Sequence, residues 1–359
     1  MSLVRFLTTL FITILSCSIW YSSAIACSRI LITTDHGESV VRTLDWDKKL
    51  GTIARVHPKN EKRKTRPVPE YNVPATWVSK YQSVSLEEHD VFHGTAAEAI
   101  NDQGLSASVL YMDTSKPFIG EYKDTGAPAV NMADVVSYFA ENFATVEEAK
   151  KAFEAGKFQI AWNSELPEAG KHGLHFSVQD KTGDIMLIQL NKGGKVIVHH
   201  GEEDLRVMAN SPLQQDHRAY VAQFDLEDPD VSKKIPSSIS SKDRNLRLIW
   251  TTKNQKGWKG LNWPQTEAKL QSTFDAGALV PQEILDPSTQ APYSTWIQYV
   301  YNLDTGSFKL RNLETYNDIR FSMSDIEDFT TPMCADLAAQ ASEGEGKAVW
   351  KKCKERGEK

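Results

Sequence analysis

Short alternating or continuous apolar runs, bounded by turn residues, dominate this chain and come in clusters separated by helical stretches. Cys27–Thr33 (CSRILIT) is β-prone, Asp35-His36-Gly37 reads as a turn, and Ser39–Leu44 (SVVRTL) as the returning antiparallel strand. Thr52–His57 and Trp77–Leu86 read as further strands around a polar, proline-rich loop from Pro58 to Pro74, and Gly104–Met112 as a buried strand. Ala129–Phe143 has apolar residues at helical spacing, and Thr145–Ala155 opens with the cap pattern Thr-x-x-Glu. Strands return at Phe158–Trp162, Gly173–Gln179, Asp184–Leu190 and Lys195–His199, the last three joined by hairpin turns. Val207–Pro212 leads into a helix over Leu213–Phe224, and helices are expected from Arg244 through Trp250 and after Pro264. Thr295–Asn302 and Ser307–Asn312 form a last hairpin.

Hairpin clusters separated by helix pairs predict a layered α+β chain, not the strict alternation of a parallel sheet. Two mostly antiparallel sheets stacked between helix layers fit this order. No internal repeat, low-complexity tract or linker divides residues 27–359, which read as one domain.

The first 26 residues are different. Arg5 supplies a positive n-region, Phe6–Tyr21 an apolar segment, and Ala24-x-Ala26 a small-residue cleavage site, the pattern of a secretory signal. Cleavage after Ala26 would leave Cys27 as the first residue of a periplasmic or secreted protein. The competing reading is the lipidated cysteine of a bacterial lipoprotein, and with it a binding protein without chemistry. Its consensus wants Leu three positions before the cysteine, where this chain has Ala24.

Composition narrows the partners. With 41 Lys+Arg against 47 Asp+Glu the net charge is −6, and no basic cluster marks a nucleic-acid or anionic-membrane surface. No later apolar run approaches the roughly 20 residues of a membrane span. No His/Cys/Asp group has metal-ligand spacing and no glycine-rich phosphate loop is present, so neither metal nor cofactor is expected. Of four cysteines, Cys17 lies in the leader, and Cys334 and Cys353 are close enough in sequence to pair in an oxidising compartment. That makes Cys27 the odd cysteine.

A cysteine at a processed N-terminus carries a thiol and a free amine on one residue. The amine titrates near 7.7–8.0 and the thiol near 8.5, so the amine is able to take the thiol proton. The hairpin returns Arg42 and Asp45 close to Cys27, although an ordinary hairpin ion pair would look the same. Asn210 before Ser-Pro also reads as a turn or cap residue, Arg244 as a surface arginine at a helix start, and Tyr111 as a core aromatic. His175 lies on an alternating stretch and reads as a structural histidine.

The run Cys27-Ser-Arg, Thr34-Asp-His-Gly37 and Arg42-Thr-Leu-Asp45-Trp46 resembles the start of the choloylglycine hydrolase family, N-terminal-nucleophile amide hydrolases that include bile salt hydrolases and penicillin V acylases. Asn101–Leu105 through Tyr111, His175–Asp180 with Gly183, Ala209–Pro212, and Arg244 in Lys-Asp-Arg-Asn agree with it. The resemblance spans Cys27 to about Tyr316 and implies a four-layer αββα sandwich. It also implies roles. Cys27 matches the nucleophile and, through its amine, the base; Asp45 would orient the amine; Arg42 would favour the thiolate. Asn210 and the Tyr111 backbone N–H would receive the oxyanion, with Arg244 bracing the network. A homotetramer is implied as well.

Tyr111 stands where bile salt hydrolases of the family generally carry Asn, and tyrosine there resembles the penicillin V acylases. The export signal resembles the Gram-negative branch, which also includes enzymes cleaving long-chain acyl-homoserine lactones. An N-acyl amide is therefore the expected substrate, of penicillin V or acyl-homoserine lactone type, with bile salts the alternative. Trp46, Trp77 and Trp258 are candidates to floor an aromatic or acyl pocket, or else core residues.

Overall fold

The computed structural model describes residues 27–166, 170–285 and 293–353, so the leader reading of residues 1–26 lies outside the described residues. Seven strands form one sheet, in the order Val207–Ala209, Ser28–Thr34, Gly37–Asp45, Thr295–Asn302, Ser307–Asn312, Asp318–Ser322 and Gly346–Lys347. Nine form the second, in the order Lys195–His200, Ile185–Asn191, Leu174–Asp180, Leu105–Tyr111, Thr95–Asn101, Ser83–Glu88, Thr52–His57, Met333–Asp336 and Lys351–Lys352. Helices Ser241–Asn254 and Trp263–Ala278 lie on the first sheet, and Val135–Asn142 and Val146–Glu154 on the second. The architecture is the αββα sandwich of the N-terminal-nucleophile hydrolases.

Alternation along the strands builds three apolar layers. In the first sheet Ile30, Ile32 and Val41 pack against Leu248, Leu270 and Phe274 of the helices. The opposite face sends Leu31, Val40 and Leu44 into the layer between the sheets, where Leu110 and Leu187 meet them. Beneath the second sheet Val136, Phe139 and Ala140 cover Ala107, Phe176 and Val178. Cys27, Arg29 and Arg42 all sit buried where this pattern calls for apolar residues.

The first hairpin turns on two residues, since Thr34 pairs with Gly37. Gly37 has φ +87°, a conformation that L side chains rarely adopt, and a Cβ there would press on the Asp304 carboxylate, so the turn favours glycine. The expected cap of Val146–Glu154 forms, the Thr145 hydroxyl accepting from Glu148 N at 3.2 Å.

Two local expectations are corrected. Ala129–Phe143 is not one helix: Ala129–Asn131 is a strand parallel to Gln159–Ala161, and Asn131 Oδ1 accepts from Ala133 N at 2.9 Å in a side-chain turn that delays the helix to Val135. Trp77–Leu86 is likewise not one strand. Thr76–Val78 pairs with Lys62–Lys64 in a small separate hairpin, and the chain breaks where Lys80 N and Tyr81 N bond Glu141 O at 2.8 and 3.3 Å. The pairing expected of Cys334 and Cys353 forms at the end of an ordered C-terminal segment. Gly346–Lys347 joins the first sheet and Lys351–Lys352 the second, so it straps the two sheets together, and a Cys334–Cys353 disulfide (Cα–Cα 4.9 Å) fastens its end.

Candidate active site

Cys27 immediately precedes the first strand, buried at one end of a cavity of about 70 Å³ between the sheets. Its thiol approaches Asp45 O at 3.9 Å. Burial, and then Asp45, push the thiol up, while Arg42 and Arg244 pull it down without cancelling the rise. At rest the group is a thiol that needs a base.

The register Ser28 opposite Thr43 puts Cys27 opposite Leu44, so Asp45 lies just beyond the start of the strand, beside Cys27 N. The Asp45 carboxyl is fully buried, and among the described residues neither of its oxygens closes a hydrogen bond. Burial pushes it up to about 7, against Arg244, whose Nη1 lies 3.9 Å from Oδ2, and the neighbouring Thr295 and Thr43 hydroxyls. In the full-length chain Cys27 N is a peptide nitrogen, donating to Asn210 Oδ1. A free amine at that position would bring further N–H donors beside an anion short of them.

Asn210 follows the edge strand Val207–Ala209 and is locked by three contacts. Its Oδ1 takes the Cys27 N–H, its Nδ2 donates to Tyr111 O at 3.0 Å, and its carbonyl accepts from His217 Nε2 at 2.8 Å. Nε2 must therefore carry the proton, and burial holds the ring neutral, pushed down to about 4. His217 escaped the sequence reading. Its only signal is the seven-residue spacing from Asn210 into the following helix.

Tyr111 ends its strand opposite Leu174, while the next residue, Met112, donates to Gly173 O at 2.8 Å. By the alternation of an antiparallel ladder, the Tyr111 N–H and C=O both point away from Leu174, and the C=O accepts from Asn210 Nδ2. The ring packs edge-on against Trp46 (6.3 Å) and His172 (5.3 Å), and its hydroxyl bonds Asp113 at 3.1 Å.

Arg244, in the first turn of helix Ser241–Asn254, is buried and reaches back to the nucleophile. Its Nη1 donates to Cys27 O at 3.0 Å and to the Ser28 hydroxyl, and its Nε to Ile239 O at 3.0 Å. Arg42 lines the cavity but is held from the other sheet, by Ala97 O, Glu98 and Val109 O.

The cavity walls are apolar: Leu44, Trp46, Leu50, Phe92, Leu166 and Leu174. Trp46 meets Phe92 edge-on at 4.6 Å. Phe92 was missed by sequence, and it is placed by Glu88, whose buried carboxylate accepts from Gly51 N, Asp90 N, Val91 N and Phe92 N at 2.5–3.2 Å. Beyond Leu166 a second, more polar cavity of about 430 Å³ is lined by Arg66, Glu70, Tyr71, Asn163 and Lys171.

Cys27, Arg42, Asp45, Asn210, Arg244, Tyr111 and Trp46 therefore converge. Trp77 does not: its indole donates to Glu141 Oε2 at 2.6 Å and packs edge-on against Tyr138 beneath the second sheet, a core residue rather than part of the pocket. Trp258 packs with the helix layer on the first sheet. His175 is buried and held neutral, as a structural histidine would be. Among the described residues no cluster of His, Cys, Asp and Glu has the arrangement to hold a metal, and no helix is long and apolar enough to cross a membrane.

Comparisons with known proteins identify the family and the fold. A penicillin V acylase of Pectobacterium atrosepticum is 29% identical over 240 residues, 64% of this chain and 61% of the relative, so the match leaves more than a third of that protein uncovered. The solved penicillin V acylase of Agrobacterium tumefaciens superposes with a TM-score of 0.75 at 25% identity, over 91% of this chain and 98% of that one. A mutant conjugated bile acid hydrolase of Clostridium perfringens shares the fold, with a TM-score of 0.65 at 17% identity over 83% and 93% of the two chains. The model of the linear amide C–N hydrolases matches residues 27–268, and the chain belongs to the choloylglycine hydrolase family.

Proposed function

We propose that this chain is an exported amidohydrolase that uses Cys27, freed by cleavage after Ala26, to split N-acyl amides. One observation carries the reading: the buried Asp45 carboxyl, whose oxygens close no hydrogen bond among the described residues and whose nearest cation is Arg244 at 3.9 Å, lies beside Cys27, whose backbone nitrogen Asn210 already holds. The free amine takes the thiol proton, oriented by Asp45 and Asn210. The thiolate sulfur attacks the amide carbon, and charge develops on the carbonyl oxygen within reach of the Asn210 amide and the Tyr111 N–H. The tetrahedral species collapses as the C–N bond breaks and the amine-borne proton passes to the leaving nitrogen. Water then hydrolyses the thioester, releasing the acid and restoring the thiol.

The small apolar cavity favours a slim acyl group. At about 70 Å³ it is well below the roughly 300–1,000 Å³ of sites for drug-sized ligands, and the Tyr111 ring occupies space that a bulkier substrate would need. Phenoxyacetyl-type and medium-to-long aliphatic acyl amides, including acyl-homoserine lactones, are the substrates of this reading, and conjugated bile salts are poor ones. Assembly as a homotetramer belongs to the same reading.

Intact mass and N-terminal sequencing of the secreted protein should find an unmodified Cys27 at the terminus, and Cys27→Ala should fold yet not turn over. A diacylated Cys27 would favour the lipoprotein reading. Values of kcat/KM for penicillin V, a long-chain acyl-homoserine lactone and glycocholate rank the substrates. Glycocholate as the best of the three would sink the argument from Tyr111.

A further inference from the structure

Strand Thr95–Asn101 is irregular next to the nucleophile. Its pairing runs Leu86 with Glu98 and then Glu87 with Ala96, so Ala97 is an extra residue bulged out of the ladder. A bulge frees backbone groups from the sheet and re-aims neighbouring side chains. Here it turns Ala97 O onto the Arg42 guanidinium and brings the Glu98 carboxylate within 2.6 Å of Nη1. Val109 O accepts from Nη2 at 2.5 Å. Three acceptors of the second sheet thus fix a cation rooted in the first.

Glu98 is 1% exposed, and it also accepts from the Ser108 hydroxyl at 2.6 Å and from the Tyr301 hydroxyl. Burial by itself would pull the Arg42 guanidinium down, and Glu98 first, with Cys27 and Tyr299, raises it past that loss, so the cation persists without water. The ionisable groups around Cys27 are Asp45 and Arg42 on the adjoining strand, Arg244 on its helix, and Glu88 across the cavity. His175 and His217, from the second sheet and the following helix, are held neutral by burial. Glu98 is the remaining anion, and it touches the site only through Arg42.

We propose that Glu98 is a positioning residue for the nucleophile, anchoring the Arg42 guanidinium beside Cys27 and offsetting part of its charge at the thiol. This rests on Cys27 being the nucleophile, but its test reads the thiol and not turnover.

The rate of Cys27 alkylation by iodoacetamide is measured against pH in the processed protein and in two variants. Glu98→Gln removes the anion and leaves Arg42 uncompensated. Its alkylation midpoint should move toward acid by about one unit, with labelling roughly tenfold faster below it. Tyr301→Phe removes a donor to Glu98 without touching Arg42 or Cys27, leaving more of the anion's charge unscreened. Its midpoint should move the other way, by a few tenths of a unit. Shifts of opposite sign cannot come from general loosening of the fold. Should Glu98→Gln not fold, the alkaline shift of Tyr301→Phe alone decides. Unmoved midpoints in the folded variants, with only thermal stability reduced, would overturn the proposal and leave Glu98 a structural residue. Full activity in Cys27→Ala would instead overturn the amidohydrolase reading and leave the alkylation result standing.

Discussion

Asp45 stores instability that the proposed chemistry would use. In the chain with residue 26 attached, its carboxyl is pushed up to about 7 by burial, against an ordinary value near 3.9. A carboxyl raised in the fold binds more protons there than in the unfolded chain, so stability is greatest below about pH 4. It declines as pH rises toward 7, and the penalty is fully developed above that. A rise from about 3.9 to about 7, at about 1.4 kcal/mol for each pH unit, makes it roughly 4 kcal/mol. Asp45→Asn in a chain extended by one residue before Cys27 should therefore remove the slope, gaining a few kcal/mol at pH 8, about 1 kcal/mol at pH 4.5 and almost nothing below about pH 3.5.

The processed protein should behave differently. There the ammonium of Cys27 pairs with Asp45 and draws the carboxyl back down, so Asp45→Asn should gain much less stability at pH 8. A hydrogen bond to a charged group is worth about 1.5–3 kcal/mol, so the same substitution should cost about 10- to 150-fold in kcat/KM. Urea unfolding of the four proteins at several pH values gives the stabilities, and amide hydrolysis gives the rates. An extended Asp45→Asn protein no more stable at pH 8 than its parent would refute the reasoning, as would equal gains in the extended and processed chains.

Asn210→Ala removes the side-chain donor near the expected oxyanion and the acceptor for Cys27 N, and should lower kcat by about 10²–10³-fold in steady-state assays. Replacing Cys334 and Cys353 by Ser frees the strap between the sheets; closing a loop over a separation of 19 residues is worth about 3 kcal/mol, which denaturant titration should find missing while Cys27 labelling is unchanged. Trp77→Phe loses the indole bond to Glu141 and should cost about 1–2 kcal/mol in thermal unfolding with the ranking of acyl groups intact, whereas Trp46→Ala should change that ranking.

How much of this the sequence revealed depends on the distance each feature spans. The hairpin that brings Arg42 and Asp45 to Cys27 was legible, because a two-residue turn with glycine after it and alternating apolar residues set its register locally. The second sheet's helix layer followed in part from a cap and periodicity, its first helix starting only at Val135. Arg244 and Asn210, 217 and 183 residues from Cys27, came only through resemblance, since neither helix start nor Ser-Pro turn says which strand it will meet. Trp77 and Trp46 show why aromatic residues mislead: both follow apolar patterns, and one fills the layer under the second sheet while the other walls the cavity.

A usable signal was nevertheless present in the polar network between the sheets. Arg29, Arg42, Glu98 and His175 each stand between small or apolar neighbours in a strand, and all four are buried. A charge in a core-facing register costs several kcal/mol unless it is paired, so strands that carry one point to a partner on the facing sheet. Arg42 finds Glu98, and Arg29, opposite Arg42 in the ladder, donates to Ser177 Oγ at 2.5 Å and to Leu205 O and Arg206 O at 3.2 Å. What the sequence withholds is which anion meets which cation, because the period of a strand tells the face of a residue but not the stacking of one sheet on another. The bulge at Ala97 settles that match by a single extra residue in a run of seven, a shift that alternation of small residues such as Ala96, Ala97 and Ala99 leaves invisible.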